Sequence, residues 1–495
     1  MGLIGLRLAR PALARSRGST WVPFAVAAAV VAGGVAVELR RTGAPRLGAV
    51  ASSPAPTLTA THGGSAAAVP TPSPLPRLGQ ALDAAAGVLT QGAVAAAVNP
   101  TLADSRLGPR VSAVVVDGPT GTVLYSRNAS LAVLPASTAK VMTAVAALHV
   151  LGPERQLETT VVPVGTLVSG RLDGRLLLVG AGDATLASPA GAKRSRYPRP
   201  ARLEVLADAV RTAGITSITG AVAVDSGAFG PPRSGPAWKP TYFTEGSVAP
   251  VTALMVDGGR ITPGKSDRHS EPDLAAGRAL RDLLRQRGIT VPDLVVRATA
   301  PVGVAPIGRV SSPPVAALVE RMLAASDNNL AESLGHLVAR ERGLPATFAG
   351  AAQGVAAALS ELGAPGDGSG LVDGSGLSPR NRVTTAGLAR VLALGLSAEQ
   401  PRLRALISGL PVGGFDGTLS ERYDEAPAAA GAGRVRAKTG SLDNVSTLAG
   451  FVETADGRQL VFAFSADRLP SRAATTGAEV LDAAAAALAS CGCSQ

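Results

Sequence analysis

The stretch Leu134-Pro-Ala-Ser-Thr-Ala-Lys-Val-Met-Thr-Ala-Val-Ala-Ala-Leu-His-Val-Leu151 decides how the rest of the chain is interpreted. Its spacing predicts a helix, because apolar residues recur on one face at Val141, Ala144, Val145 and Leu148. Gly152-Pro153 follows and ends the helix. The serine and the lysine at its start are the residues of this stretch that can carry chemistry.

Ser137 and Lys140 lie three residues apart, so the predicted helix puts them on one face. A lysine amine there can take the serine proton when it is partly neutral, which desolvation and a neighbouring cation would promote. The helix N-terminus also offers backbone N–H groups to a developing oxyanion. The alternative is an exposed lysine after an N-cap serine. Against it, the chain has five lysines, and only Lys140 stands three residues after a serine.

Ser326-Asp327-Asn328 lies between two predicted helices, within Leu323-Ala-Ala-Ser-Asp-Asn-Asn-Leu-Ala-Glu332. A hydroxyl and a carboxamide two residues apart can share one cleft, where the serine relays a proton and the amide grips a substrate backbone. The alternative is an ordinary N-cap. Ser126-Arg127-Asn128 matches the same short pattern at a hairpin end.

Lys438-Thr439-Gly440 precedes Ser441 and a strand predicted from about Leu448. A lysine and a threonine at a strand edge can bind a carboxylate, and the glycine permits close backbone approach. The next N–H group can then complete an oxyanion hole. Each tripeptide is weak alone, but S-x-x-K, S-D-N and K-T-G in this order are the set found in serine β-lactamases and penicillin-binding proteins.

Histidine and cysteine are too scarce for the rival chemistries. The four histidines are dispersed without an H-E-x-x-H pattern, so a metal hydrolase or a Ser-His-Asp triad is poorly supplied. The two cysteines, Cys491 and Cys493, lie in the C-terminal tail, where we expect a frayed end rather than a strained bridge. The prediction is an acyl-enzyme mechanism with no metal and no cofactor.

The sequence resembles the class C low-molecular-mass penicillin-binding proteins, the penicillin-binding protein 4 type of D-alanyl-D-alanine carboxypeptidase and endopeptidase. The resemblance covers residues 101–490, and the 185 residues between Lys140 and Ser326 fit it, because this class places extra domains there. Beyond the three motifs it includes Gly180-Ala-Gly-Asp183, Val224-Asp-Ser226 with Phe229, Asp373-Gly-Ser-Gly-Leu-Ser378, Asp416-Gly-Thr-Leu419 and Val445-Ser-Thr-Leu-Ala-Gly450.

The resemblance implies an α/β (α+β) fold, with a transpeptidase-like, β-lactamase-like catalytic domain that a strand-rich insertion interrupts. It implies peptidoglycan peptides as substrate and β-lactam antibiotics as covalent inhibitors. The implied roles are nucleophile for Ser137, base for Lys140, proton transfer and positioning for Ser326 and Asn328, carboxylate binding for Lys438 and Thr439, and an oxyanion hole from the N–H groups of Ser137 and Ser441 beside Gly440.

Two further residues would set specificity. Asp225 matches the insertion residue that reaches the diaminopimelate end of the substrate, with the alternative that it only closes a strand turn. The family often has an arginine directly after Asp-Gly-Ser-Gly-Leu-Ser. Here that place is Pro379 and the arginine follows at Arg380, which puts its substrate-binding role in doubt.

The chain divides into segments of different composition. Residues 1–41 predict a signal anchor or signal peptide, and residues 42–77, rich in proline and alanine and without acidic or aromatic residues, predict a disordered linker. The catalytic domain is predicted in two pieces, 78–155 and 306–495. Short strands between Gly, Pro and Asp turns predict the inserted part at 156–305.

The N-terminal segment predicts a place outside the cytoplasm. Arginines at 7, 10, 15 and 17 precede the apolar run Trp21–Val37, which is long enough to span a bilayer. A cleaved signal peptide usually has a shorter apolar region, and no convincing A-x-A site follows, so we favour an uncleaved membrane anchor. The net charge of +11 comes mostly from scattered arginines, which argues against nucleic acid as a partner.

Two other functions remain open. A β-lactamase would share the acylated serine, but class C β-lactamases carry a Tyr-x-Asn second motif where this chain has Ser326, and no obvious glutamate base for deacylation is present. A non-enzymatic wall-binding scaffold would not need an intact set of catalytic side chains.

Overall fold

The computed structural model describes residues 89–194, 199–364, 369–470 and 474–492. The predicted anchor (1–41) and linker (42–77) lie outside these ranges. Across the described ranges, no helix combines the length and the apolar character that crossing a membrane requires.

The strands of the described residues form two sheets. They are β1 (Val111–Asp117), β2 (Val123–Arg127), β3 (Glu158–Val168), β4 (Arg171–Val179), β5 (Ser217–Ile218), β6 (Val222–Asp225), β7 (Val295–Arg297), β8 (Gly308–Ser311), β9 (Val435–Leu442), β10 (Val445–Glu453) and β11 (Gln459–Ala466).

The α-helices surround both sheets. They are α1 (Gln91–Leu102), α2 (Lys140–Val150), α3 (Pro189–Arg194), α4 (Leu203–Thr212), α5 (Thr241–Thr244), α6 (Pro272–Gln286), α7 (Val315–Ala325), α8 (Asn328–Glu341), α9 (Phe348–Glu361), α10 (Thr385–Leu396), α11 (Ala405–Ser408) and α12 (Ala474–Ala489).

The first sheet belongs to the predicted catalytic domain. Within the described ranges it has the order β2-β1-β11-β10-β9, with antiparallel neighbours throughout. Side chains alternate between its faces, so Val461 and Ala463 join the core under α2 and α7–α10, while Phe462 and Phe464 join the core under α1 and α12. Both strands are buried along almost their whole length, which explains the continuous apolar run Leu460–Phe464 of β11.

Local predictions for this domain are confirmed. The hairpin expected over Val111–Tyr125 is β1 and β2, which pair antiparallel. The helix expected over Leu134–Leu151 begins as a 3-10 turn at Ala136–Ala139 and continues as α2. The two helices expected around the S-D-N motif are α7 and α8.

The inserted part is a layer of helices on a mixed sheet rather than strands alone. Its strand order is β7-β6-β4-β3-β8, with β5 beside β4. Helices α4 and α6 cover one face through leucines and valines of a separate core. Because β8 pairs with β3, the insertion continues to Ser311, past the predicted boundary at 305.

One connection of the insertion packs against the catalytic domain. Trp238 and Tyr242 are buried in the core that α2, α8 and α9 share. The Trp238 ring meets Phe348 of α9 edge-on, with 5.3 Å between ring centroids. Its Nε1–H donates to Asp373 Oδ2 at 2.7 Å. The insertion therefore braces the loop that carries Asp373.

The C-terminal tail differs from expectation. Cys491 is disulfide-bonded, so the interpretation of an unbridged tail is wrong, although Cys493, the other cysteine of the chain, lies outside the described residues.

Candidate active site

Ser137 and Lys140 meet at the start of α2. Ser137 lies in the 3-10 turn, and the fully buried Lys140 side chain donates from Nζ to Ser137 Oγ at 2.8 Å. Ala136, just before the serine, has a positive φ of 45°, which a residue with a Cβ adopts only under strain. Strained backbone beside the predicted nucleophile is typical of an active site, because strained residues cluster at such sites.

The lysine amine has three hydrogen-bond partners. Besides Ser137 Oγ, Nζ donates to Asn328 Oδ1 and to the Ser375 carbonyl oxygen, each at 2.7 Å. The amide and carbonyl oxygens can only accept, whereas a hydroxyl can also donate. A neutral amine keeps two N–H groups and one lone pair, so its lone pair can accept a proton from Ser137 alone. The geometry therefore fits a proton transfer from Ser137 to Lys140.

Burial favours the neutral form of the Lys140 amine. It lowers the pKa of Lys140 to about 8, against the opposing charges of Glu332, Asp373 and Asp327. The three carboxylate charges raise its pKa, so they oppose the lowered value. The neighbouring cation that we expected is Lys438, because the charge of Lys140 lowers the Lys438 pKa and this repulsion is mutual. Desolvation is the largest cause of the lowered Lys140 pKa.

The S-D-N motif separates two helices with a left-handed residue. Ser326 ends α7 with φ 55°, and its side chain is half-buried. Asp327, not Ser326, is the N-cap of α8, since its carboxylate accepts from Leu330 N at 3.0 Å. Asn328 opens α8, and its Nδ2 donates to the Ser247 carbonyl at 2.9 Å. The insertion thereby fixes the amide that holds Lys140.

The K-T-G motif lies on β9 at the edge of the sheet. Lys438 is fully buried and donates from Nζ to the Thr439 carbonyl at 2.9 Å. Burial, then the charge of Lys140, hold the pKa of Lys438 well below its usual value. The hydroxyls of Thr439 and Thr418 share a hydrogen bond of 2.9 Å.

Gly440 brings this edge against the Ser137 turn. A Cβ built on Gly440 would lie 2.8 Å from the Pro135 carbonyl oxygen and 3.0 Å from Ser137 N. Only a residue without a side chain permits this approach. Ser441 follows Gly440 directly on β9. An oxyanion hole formed by the N–H groups of Ser137 and Ser441 requires this order.

The two predicted specificity residues do not contact the Lys140 amine. Asp225 ends β6, where its Oδ1 accepts from Gly227 N at 2.8 Å and its Oδ2 from Ala300 N at 2.7 Å. These bonds fit the turn-closing alternative. Arg380 is exposed, and its backbone N–H donates to Ser378 Oγ at 3.2 Å.

Sequence reasoning missed three residues of the site. The Ser375 carbonyl and the Thr418 hydroxyl lie in segments noted only for family resemblance. Glu332 is fully buried, and burial and Asp373 raise its pKa to about 8. Its spacing could have revealed it, because Glu332 stands four residues after Asn328 on one helix. In the part of the chain that the structure describes, no cluster of three or more His, Cys, Asp or Glu side chains could hold a metal.

Comparison with known proteins points to one family. The sequence profile of the D-Ala-D-Ala carboxypeptidase 3 (S13) family matches residues 94–270 and 262–488. Carboxypeptidase Rv3627c of Mycobacterium tuberculosis is 37% identical over 441 residues, 87% of this chain and 92% of that protein. Carboxypeptidase DacB of Mycolicibacterium smegmatis is 37% identical over 442 residues, 88% of this chain and 93% of that protein.

A solved structure shares the fold. Penicillin binding protein 4 (dacB) from Haemophilus influenzae superposes with a TM-score of 0.65 at 24% identity, over 80% of this chain and 98% of that one. The same protein complexed with a β-lactam superposes with a TM-score of 0.60 at 25% identity, over 78% of this chain and 98% of that one.

Proposed function

The chain belongs to the D-Ala-D-Ala carboxypeptidase 3 (S13) family, and on that premise we propose that Ser137 is the nucleophile that the substrate acylates. The protein is a serine D-Ala-D-Ala carboxypeptidase that acts on peptidoglycan peptides. One observation carries the assignment of Ser137. The buried Lys140 amine has three hydrogen-bond partners, and among them only the Ser137 hydroxyl can donate a proton to the amine.

The proposed reaction has two steps. Neutral Lys140 takes the Ser137 proton while Oγ bonds to the carbonyl carbon of the penultimate D-alanine, and the N–H groups of Ser137 and Ser441 hold the oxyanion. The peptide bond then breaks, and the leaving amine of D-alanine takes a proton that Lys140 passes on through Ser326. Water hydrolyses the resulting ester and restores the free hydroxyl.

We assign the terminal carboxylate of the substrate to Lys438 and Thr439. Thr418 supports this role, because its hydroxyl orients that of Thr439. A substrate carboxylate would also offset the burial that lowers the Lys438 pKa, so binding would favour the charged lysine. Asn328 would grip the substrate backbone, and Gly440 would let the β9 edge approach it.

The far end of the substrate we assign to Asp225. Two backbone N–H groups hold the Asp225 carboxylate in place but use only part of its acceptor capacity, so a half-exposed side chain can still bind an ammonium. A stem peptide with diaminopimelate presents such a group. A cross-linked peptide with such an ammonium would be a further substrate, which would add endopeptidase activity.

We also propose a location outside the cytoplasm, with the run Trp21–Val37 as an uncleaved membrane anchor. The support is the sequence pattern of the N-terminal segment, and a substrate in the cell wall agrees with it.

A β-lactam tests the nucleophile, because it is the ligand of the related protein complex and should bind this site covalently. Benzylpenicillin should label the protein once per chain at Ser137, and Ser137→Ala should lose both the label and D-alanine release from a D-Ala-D-Ala peptide. Ser126→Ala, in the other Ser-x-Asn pattern, is the matched control that should keep both. Peptide mapping that finds the label on another serine would refute the assignment.

A further inference from the structure

Glu332 is a buried carboxyl that grips the loop beside Lys140. Its Oε2 accepts from Gly374 N at 3.0 Å and its Oε1 from Ser375 N at 2.8 Å. The side chain has no exposed surface. It stands one turn after Asn328 on α8, so the helix that supplies one partner of the Lys140 amine also supplies this carboxyl.

Ser375 connects the carboxyl to the amine. Its N–H donates to Glu332, and its carbonyl oxygen accepts from Lys140 Nζ at 2.7 Å. The loop is held from α2 as well, because Thr143 Oγ1 donates to the Gly374 carbonyl at 2.7 Å. Gly376 presses it against the nucleophile turn, since a Cβ there would lie 1.8 Å from the Ala136 carbonyl oxygen. Displacing the Ser375 peptide would therefore displace the lysine.

We propose that Glu332 is a positioning residue for proton transfer between Ser137 and Lys140, acting through the Ser375 peptide and through its negative charge. The inference rests on the proposed role of Lys140 as base. Glu332 itself is fully buried and reaches the amine through the Ser375 peptide.

The surrounding charges support this role. The groups that face the Lys140 amine are Glu332, Asp373 and Asp327, with Lys438 on the strand edge. Asp373 already accepts from Trp238 and from three groups of its own loop. His336, one turn beyond Glu332, is buried, which lowers its pKa to about 4 and leaves it neutral. Glu332 lies on α8, the helix that also supplies Asn328, and it holds the Ser375 peptide whose carbonyl accepts from Lys140.

Two effects follow for Glu332. Burial and Asp373 raise its pKa to about 8, although the two N–H groups that its oxygens accept favour the ionised form, so Glu332 is partly ionised in the pH range where Lys140 titrates. An ionised Glu332 opposes loss of the Lys140 proton. Removing the charge lowers the Lys140 pKa, so the amine becomes neutral at lower pH. An amide in its place also loses one of the two acceptors, because its NH₂ group faces a donor.

The test measures the rate of Ser137 acylation by benzylpenicillin against pH in the full chain. Glu332→Gln should lower the plateau rate about 10- to 100-fold. It should move the midpoint of the acid limb to lower pH, because the partial negative charge that opposes deprotonation of Lys140 is removed. Glu332→Asp keeps the charge on a shorter stem, so it should keep the native midpoint while its plateau falls. Asp117→Asn neutralises a buried carboxylate at the far end of β1 and should leave midpoint and plateau native.

The outcomes separate the two proposals. If the native protein is not acylated at Ser137, the proposed function fails. If it is acylated and Glu332→Gln keeps the native midpoint, a purely structural role is left and the inference is overturned, whatever the plateau does. Should Glu332→Gln not fold, Glu332→Asp decides, because a native plateau in that variant would exclude positioning.

Discussion

At the scale of single residues, we expect Lys140 to set the pH range in which the enzyme acts. Burial lowers its pKa to about 8, and only the neutral amine can accept the Ser137 proton. The acylation rate should therefore rise about tenfold per pH unit between pH 6 and 7 and level off above about pH 8. Stopped-flow labelling with a fluorescent penicillin measures this. A rate independent of pH across this range would exclude Lys140 as the base. Lys140→Arg is the control: the guanidinium stays protonated, so activity should be lost at every pH.

Asp225 distinguishes substrate recognition from turn closure. Asp225→Asn keeps the size of the side chain and removes its charge. If the carboxylate binds an ammonium, kcat/KM should fall about tenfold or more for a peptide with a free side-chain amine, and stay near native for a blocked one. Both substrates should be compared in one competition assay read by mass. A uniform loss would show that the bonds to Gly227 and Ala300 are its whole function.

Residue spacing predicted the reacting pair but not its surroundings. Ser137 and Lys140 are close in sequence, so helical geometry alone brings their side chains together. Ser375 reaches the same amine from 235 residues away, through a carbonyl that no side-chain pattern reveals. Glu332 is an intermediate case. The sequence shows its spacing from Asn328, but it does not show that the carboxyl binds the backbone of Gly374 and Ser375.

At the scale of elements, the packing of β9 against the Ser137 turn depends on Gly440. A methyl group there would lie 2.2 Å from Thr447 Oγ1 and 2.8 Å from the Pro135 carbonyl, so strand and turn must separate. Gly440→Ala should lower the acylation rate about 100-fold. It should destabilise the fold by about 1–3 kcal/mol. Labelling kinetics and thermal melts measure the two effects.

The matched variant is Gly370→Ala, since a Cβ on that exposed glycine would meet nothing within 4 Å. It should keep both rate and stability. A native acylation rate in Gly440→Ala would mean that the turn and the strand are not packed as tightly as the geometry implies.

Element boundaries show where local pattern stops being sufficient. Alternation and turn residues predicted β1, β2 and the strands of the insertion, because these signals are local. The left-handed conformation of Ser326 has no such signal, since nothing in its side chain favours φ 55°. The predicted boundary at 305 leaves out β8, because β8 is recognised by its pairing with β3, about 150 residues earlier.

At the scale of the whole molecule, the insertion and the catalytic domain are not independent. Ser247 of the insertion accepts from Asn328, and Trp238 donates to Asp373, so the insertion fixes both sides of the Lys140 environment. Sequence analysis placed the insertion over the substrate only through family resemblance. Its packing depends on contacts between distant segments, which composition and periodicity do not encode.

The N-terminal segment should determine where the catalytic part is found. Arginines at 7 to 17 before the apolar run to Val37 favour insertion with the remainder outside the cytoplasm. The full chain should fractionate with membranes. Protease added outside the cytoplasmic membrane should cut within residues 42–77, where proline-rich sequence without acidic or aromatic residues gives no packed core to protect the backbone.

The released fragment should still be acylated by benzylpenicillin, because every group assigned to the reaction lies after residue 89. A variant that carries a signal peptide from another protein in place of residues 1–41 is the control, and it should appear outside the membrane without protease. Edman sequencing of the native protein would identify the contrary result from its N-terminal residue. A soluble mature form beginning near residue 38 would show that the apolar run is a cleaved signal and not an anchor.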